Sequence, residues 1–392
     1  MILAAAAELF NEHGVGAVSL ADLARKLRLS RASFYYYVAD REDLIFRCYQ
    51  KSWEADTEFL DSATAADPGL PQVLRYLEES LTEEAQRTAV ITDTGLLSEA
   101  HRGIIDKYAK RNYDRLAGMI GEGIRLGNIR PCDEQLMARM LPSMVAFYRT
   151  SGRWVEKDRN VQNVAALLDF VAQGLAADRD LPFDFQHSSD MFSALHVRGL
   201  DALSTADLRI EQIMMVGSKI INARGVDSLS LEDVVAALGV TRGTVYHYFS
   251  DREDLIKRCL ERGYDLYDAF IDYAEKHGRN GLEKTLIITH LNAQALVGSL
   301  QPVGAWMGFE IFAPELRSKF SERLRVLLER GDAIAEEGIA DGSRRGTDHQ
   351  PITLARVGAY LWIPKWISQI EDPRPHRIAD EIARFFKSGL AA

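Results

Sequence analysis

Two clusters of side chains, 211 positions apart, have the types and spacing to grip a polyanion. The first is Arg28, Ser30, Arg31, Ala32, Ser33, Tyr35, Tyr36, Tyr37 and Arg41. The second is Thr241, Arg242, Gly243, Thr244, Tyr246, His247, Tyr248 and Arg252. Hydroxyls and phenols can donate to phosphate oxygens, and a guanidinium at Arg31 or Arg242 can meet a guanine edge. Catalytic chemistry has no comparable footing. The histidines form no i, i+4 metal pair, and there is neither a nucleophile elbow nor a phosphate-cradling glycine loop, so no enzyme and no cofactor is expected.

The elements that must position these side chains can be read locally. Ser230 followed by Asp233 starts a helix, a hydroxyl to accept orphan N–H groups and an acid at the positive end. Val234, Val235 and Leu238 give it an apolar face, and Gly239 ends it. Thr241 caps a second helix whose Val245 and Phe249 point inward, and Asp251 caps a third. Two short helices about a tight turn are a helix-turn-helix, with the second helix as the reader of DNA. The same pattern stands at Ser19–Ile45, without a gap from Gly14/Gly225 to Cys48/Cys259, and about half the positions are identical. A repeat of this length means two domain-sized copies rather than a solenoid. Arg28 stands where the second copy has Gly239, so an arginine is expected in a left-handed turn, at a cost of about 1 kcal/mol.

Leu9-Phe10…Gly14, Ser-Leu-x-Asp, the Tyr-x-Tyr followed by Val38 or Phe249, and Asp-Arg-Glu-Asp-Leu together resemble the TetR family of bacterial transcriptional regulators. The resemblance covers about 50 residues in each copy. It implies an all-α fold: two tandem helix-turn-helix domains, each followed by a helical-bundle ligand and dimerisation domain. The expected divisions are 1–48 and 49–180 for the first copy, 181–206 for a connector, and 207–259 and 260–392 for the second. The resemblance also implies double-stranded operator DNA as partner and a small-molecule effector held among the helices beyond residue 70. Family members pair their last two helices into a four-helix bundle; here both pairs lie on one chain, so an intramolecular pseudo-dimer is expected. The family's basic arm before the first helix has no counterpart ahead of Met1, so the first copy has fewer phosphate contacts or the sequence begins late.

The net charge of −10 over 392 residues runs against DNA binding, but its distribution does not. Residues 1–50 carry six basic and six acidic side chains, and 23–38 hold Arg25, Lys26, Arg28 and Arg31 with no acid. The first copy is therefore expected to hold phosphate more strongly than the second, where 234–249 carry Arg242 alone. No apolar run approaches a membrane span, and Cys48, Cys132 and Cys259 have no metal spacing, which suits a reducing cytoplasm.

Beyond the heads, helical patterns run over about 71–87, 91–101, 103–126, 133–150 and 159–177, and in the second copy over about 208–223, 251–276, 350–370 and 376–390. Phe183, Phe185, Met191, Phe192 and Leu195 make the connector too apolar to be free, so it is expected to pack across the two halves. Tyr108, Phe147, Tyr148, Trp306, Phe309, Trp362 and Trp366 could line an effector cavity, favouring something apolar or aromatic. Ordinary bundle packing accounts equally well for each taken singly. A scaffold with one or both heads silent is the alternative reading.

Overall fold

A computed structural model describes residues 2–30, 35–150, 163–185, 187–190, 192–193, 204–304 and 312–392. Among them the chain is helical throughout, with two isolated bridges and no strand. It forms two compact units: Met1–Ala172 with Leu390–Ala392, and Gln173–Gly389.

The first unit opens with α1 (Ile2–His13) and α2 (Leu20–Lys26), then α3 (Arg41–Ala63) leaves the head. Ser19 and Asp22 form a reciprocal capping box at α2, and Asp40 caps α3 through the Asp43 amide. The bundle continues through α4 (Leu70–Ser80), α5 (Glu83–Gln86), α6 (Glu99–Leu126), α7 (Glu134–Thr150) and α8 (Val164–Gln173). Ala6, Ala7, Phe10, Leu23, Leu44 and Tyr49 share one core with Ala89, Leu97 and Ile105, so the head's apolar face is closed by the start of the bundle.

The helix expected over 91–101 is absent; residues 90–98 are extended and turned, and α6 begins only at Glu99. Val90, Ile91, Thr92 and Thr94 are β-branched and poor helix formers. Asp93 Oδ1 accepts from the Gly95 amide at 3.0 Å, while the buried Tyr49 hydroxyl donates to the Asp93 carbonyl at 3.1 Å. The turn is thereby tied to α3.

The second unit repeats the order: α9 (Thr205–Arg224), α10 (Leu231–Leu238), α11 (Arg242–Tyr248), α12 (Arg252–His277), α13 (Gly281–Val297) and α14 (Pro314–Ala340). The helix expected over 350–370 is broken. It becomes α15 (His349–Leu361) and a short α16 (Ile363–Trp366), because Pro364 lacks the N–H that would bond the Tyr360 carbonyl, which accepts from Trp362 instead. Then α17 (Pro375–Ser388) closes against α13. Phe183 and Phe185 also lie in this unit: Arg384 sits 4.9 Å over the Phe185 ring, and His290 is 6.3 Å from it. The parts of the connector at Met191 and Leu195 lie outside the described residues.

The two copies exchange their tails reciprocally. In the second unit the Leu175 amide donates to the Phe386 carbonyl, Ala176 to Lys387, Ala177 to Ser343, and Arg345 to Leu175. In the first unit the Leu390 amide donates to Val171, Ala391 to Ala172, Ala392 to Asn128, and Arg130 to Leu390. Every donor and acceptor of one set lies 215 positions from its counterpart in the other. The segments meet at Gly174 and Gly389, both at positive φ; a Cβ on Gly174 would lie 2.5 Å from the Gly389 nitrogen. Only glycine fits such a crossing.

Candidate nucleic-acid interface

In the second copy the reading helix is complete. The Thr241 hydroxyl accepts from the Thr244 amide at 3.3 Å and meets the Thr244 hydroxyl at 2.9 Å, so α11 starts under a proper cap. Val245 and Phe249 are fully buried and fix the helix to the head. That leaves Arg242, Gly243, Tyr246 and His247 exposed on the opposite face, with Thr244 and Tyr248 half-buried. The His247 and Tyr248 rings meet edge to face at 4.8 Å.

In the first copy Arg31, Ala32 and Ser33 lie outside the described residues. Tyr35, Tyr36 and Tyr37 are helical and exposed, Tyr36 at 83%. The Tyr36 and Tyr37 rings meet edge to face at 5.2 Å, and exposed phenols in a row suit contact with a phosphate backbone or base edges. Ser30 is also exposed. Arg28 is exposed with φ +54°, and Gly239 has φ +64°, so the expected left-handed turn is present in both copies.

Arg41 and Arg252, expected as DNA contacts, also hold their own heads together. Arg41 donates to the Val15 and Gly16 carbonyls, both at 2.8 Å. Arg252 donates to Leu229 at 2.8 Å and Val226 at 2.7 Å. Each guanidinium holds the loop before the first helix of its motif, and the Val226 carbonyl accepts from the Leu229 amide as well. The motif Asp-Arg-Glu-Asp-Leu thus carries a structural staple at its arginine.

The second copy has an acid where the first has none. Glu232, on α10, accepts from Arg242 and, at 3.0 Å, from the Tyr246 hydroxyl. Hydrogen bonds from its own backbone amide, Arg242 and Tyr246 hold its carboxyl below the usual carboxylate range. The equivalent position in the first copy is the exposed Ala21.

The pair of heads decides the family. Residues 2–48 and again 213–259 match the bacterial regulatory proteins of the tetR family. The chain belongs to the TetR family, with the family's DNA-binding domain present twice. It is a transcriptional regulator of that type. The uncharacterized HTH-type transcriptional regulator YfiR of Bacillus subtilis (strain 168) is 25% identical over 164 residues, 40% of this chain and 75% of the relative. Two similar solved structures are the TetR family regulator PfmR of Thermus thermophilus, at 23% identity, and the ketosteroid transcriptional regulator KstR2 of Mycobacterium tuberculosis, at 14%. They cover 44% and 47% of this chain and 96% and 95% of their own, with TM-scores of 0.37 and 0.38. Among the described residues of this TetR-family chain, no helix is long and apolar enough to cross a membrane.

The aromatic side chains read as a cavity lining are dispersed. Tyr108 lies between α3 and α6 at the surface, its hydroxyl 3.4 Å from Gln50 and Glu54 and its ring under Arg111. Phe147 is core, and Tyr148, beside it on α7, is half-buried. Trp362 and Trp366 are buried in the second unit, and Trp306 and Phe309 lie outside the described residues. His290 is core as well, satisfied by Asp380 at 2.8 Å and Gln294 at 2.9 Å.

Among the described residues, the second unit has an apolar cavity that none of them lines. It lies among α12, α13, α14 and α15, has a volume of about 60 Å³, and is walled by Tyr267, Ile288, Leu324 and Leu328 with Asn292 and Arg356. Arg356 was missed because its run, Leu354-Ala355-Arg356-Val357-Gly358, reads as core with one outward-facing cation. The lone charge inside an apolar stretch was the available signal.

Proposed function

We propose that this regulator is a ligand-responsive repressor whose two heads bind the two halves of a pseudo-palindromic operator from a single chain. The observation that carries it is the tail exchange, in which four backbone hydrogen bonds recur at an offset of 215 in the two units. A relation that repeats in both directions is the signature of two-fold pairing, and here the two partners are copies on one chain. On this reading residues 1–48 and 207–259 are the heads, 49–180 and 260–392 the ligand and pairing domains, and 181–206 the connector. The readers are Arg28 and the 30–37 segment in the first head, with Arg242, Gly243, Thr244, Tyr246, His247 and Tyr248 in the second. Because the heads differ, the operator halves differ, where a homodimer favours a palindrome. The cavity in the second unit supports effector control, and the protein works in the cytoplasm, where operator and metabolites meet.

The test joins mass to binding. Light scattering at low concentration should give one chain, 43.9 kDa, and an operator recovered by selection should bind one chain per site. Arg31→Ala with Tyr35→Ala, and Arg242→Ala with Tyr246→Ala, should each weaken operator binding by a few kcal/mol, at about 1–3 per good base contact. A strict two-chain dimer, or unchanged affinity in both double variants, would sink the reading. Heads that are silent on every genomic fragment would favour a scaffold instead.

A further inference from the structure

The cavity of the second unit is closed at one side by a charge with nothing to balance it. Arg356 is 5% exposed. Its guanidinium lies against Gly331, where an added Cβ would stand 3.3 Å from a terminal nitrogen. No acidic side chain among the described residues pairs with it, and its Nε has no hydrogen-bond partner. Beside it in the same lining, Asn292 donates to the Ile288 carbonyl at 2.7 Å, while its buried Oδ1 accepts nothing. Tyr267, Ile288, Leu324 and Leu328 make the remaining walls apolar.

An ion taken out of water costs several times what a neutral side chain does, and it is kept where a counter-charge repays it. The first unit shows the repaid version. There the buried Arg149 donates to the Thr88 carbonyl at 2.9 Å, and Asp56 accepts from Tyr76 at 2.7 Å and Asn112 at 2.8 Å. The position 211 beyond Asp56 is Tyr267, a wall of the cavity. The lining thus holds a buried cation and an acceptor without a donor, and among the described residues no acid matches the cation. The volume of about 60 Å³ is several times the roughly 10–15 Å³ that one water needs and well under the roughly 150 Å³ that holds a benzene ring, which leaves room for a short aliphatic chain.

We propose that this cavity binds a small monocarboxylate with an apolar body, its carboxylate held by Arg356 and its body by Ile288, Leu324 and Leu328. A guanidinium takes a carboxylate through two parallel N–H···O bonds. Arg344, a second buried guanidinium close enough to feel Arg356, donates to Thr285 and does not line the cavity, so Arg356 alone meets the ligand's charge, and the aliphatic walls suit an apolar body rather than a phosphate. The assignment rests on the reading of this unit as the effector domain, and gives that effector its chemistry.

The test uses the full chain with propionate and butyrate, against propionamide, butyramide and inorganic phosphate, by calorimetry and by thermal shift. The acids should bind, the neutral amides should bind roughly tenfold or more weakly, and phosphate should not compete. Arg356→Met should lose acid binding yet melt higher than the wild type without ligand, since it removes an unpaired ion; Arg356→Lys should retain part of the affinity. Amides that bind as well as acids, or acids that bind Arg356→Met unchanged, would overturn the proposal, as would no binding of either acid. Operator release, followed separately by fluorescence anisotropy, keeps the two readings apart. Acid binding with no release would leave this site standing and count against effector control.

Discussion

Glu232 and Arg242 meet across the turn of the second helix-turn-helix, carboxylate to guanidinium, on the face that should point at DNA. The Tyr246 hydroxyl joins the same carboxylate at 3.0 Å, and Arg242 lies 5.4 Å over the Tyr246 ring. On the proposed reading, a phosphate must compete with Glu232 for Arg242 and Tyr246. Glu232→Ala, which installs the residue of the first copy, should tighten operator binding through the second head and steepen its salt dependence by about one. Titration at several salt concentrations reads both. An unchanged slope and affinity would mean that Arg242 and Tyr246 do not contact DNA.

Arg28 sits in a left-handed turn that Gly239 occupies in the other copy, with φ of +54° and +64°. An L-residue pays about 1 kcal/mol for that backbone, and glycine does not. Arg28→Gly should therefore raise the stability of the first head by up to about that much, while lowering operator affinity by removal of an exposed cation. A melting curve and a binding curve moving in opposite directions is the expected outcome. Loss of stability would show that the Arg28 side chain, not its backbone, is what the turn needs.

Glu42 ties the first head to its bundle. Its carboxylate accepts from the Ser98 amide at 2.7 Å and meets His101 Nδ1 at 2.8 Å, and the His101 ring stacks on Phe46 at 4.0 Å. The hydrogen bonds from Ser98, with His101 following, bring the Glu42 carboxyl from its ordinary 4.5 down to about 2. A depressed carboxylate contributes stability that is fully present above its unfolded value and is lost as pH falls through its folded one. Between pH 4.5 and 2 the wild type should thus lose stability that Glu42→Gln never had, and the two should converge below pH 2. Denaturant melts at stepped pH measure this; parallel curves over that window would refute it.

What was legible in the sequence was local. Ser19 with Asp22, Ser230 with Asp233, Thr241, and Asp251 with Asp254 announce helix starts through contacts three residues apart, and each cap is present. Arg28 betrayed its backbone by aligning with Gly239. What was not legible depended on distant partners. Residues 90–98 lose their helix to β-branching and to Tyr49, more than forty positions away. Arg41 and Arg252 face carbonyls of a loop that precedes them by more than twenty positions. The cavity could not be read from aromatic content, because its telling feature is the lack of a partner for Arg356, and spacing along a chain does not report an absence.

The tail exchange makes a prediction that crosses the two copies. Leu390 ends the second copy yet belongs to the first unit, where it is fully buried and its backbone bonds to Val171 and Arg130. Leu175, its counterpart, ends the first copy yet belongs to the second unit, bonded to Phe386 and Arg345. Truncating a buried leucine costs about 2–5 kcal/mol, and the loss should appear where the side chain is buried. Leu390→Ala should therefore speed amide exchange at residues 128–130 and 171–172, and Leu175→Ala at 343–345 and 386–387. Both variants should also weaken operator binding, since each loosens a junction through which one copy is completed by the other. Hydrogen exchange read by mass spectrometry resolves these peptides. If Leu390→Ala left 128–130 protected and exposed only its own helix, the tails would not be exchanged, and the single-chain pairing would lose its main support.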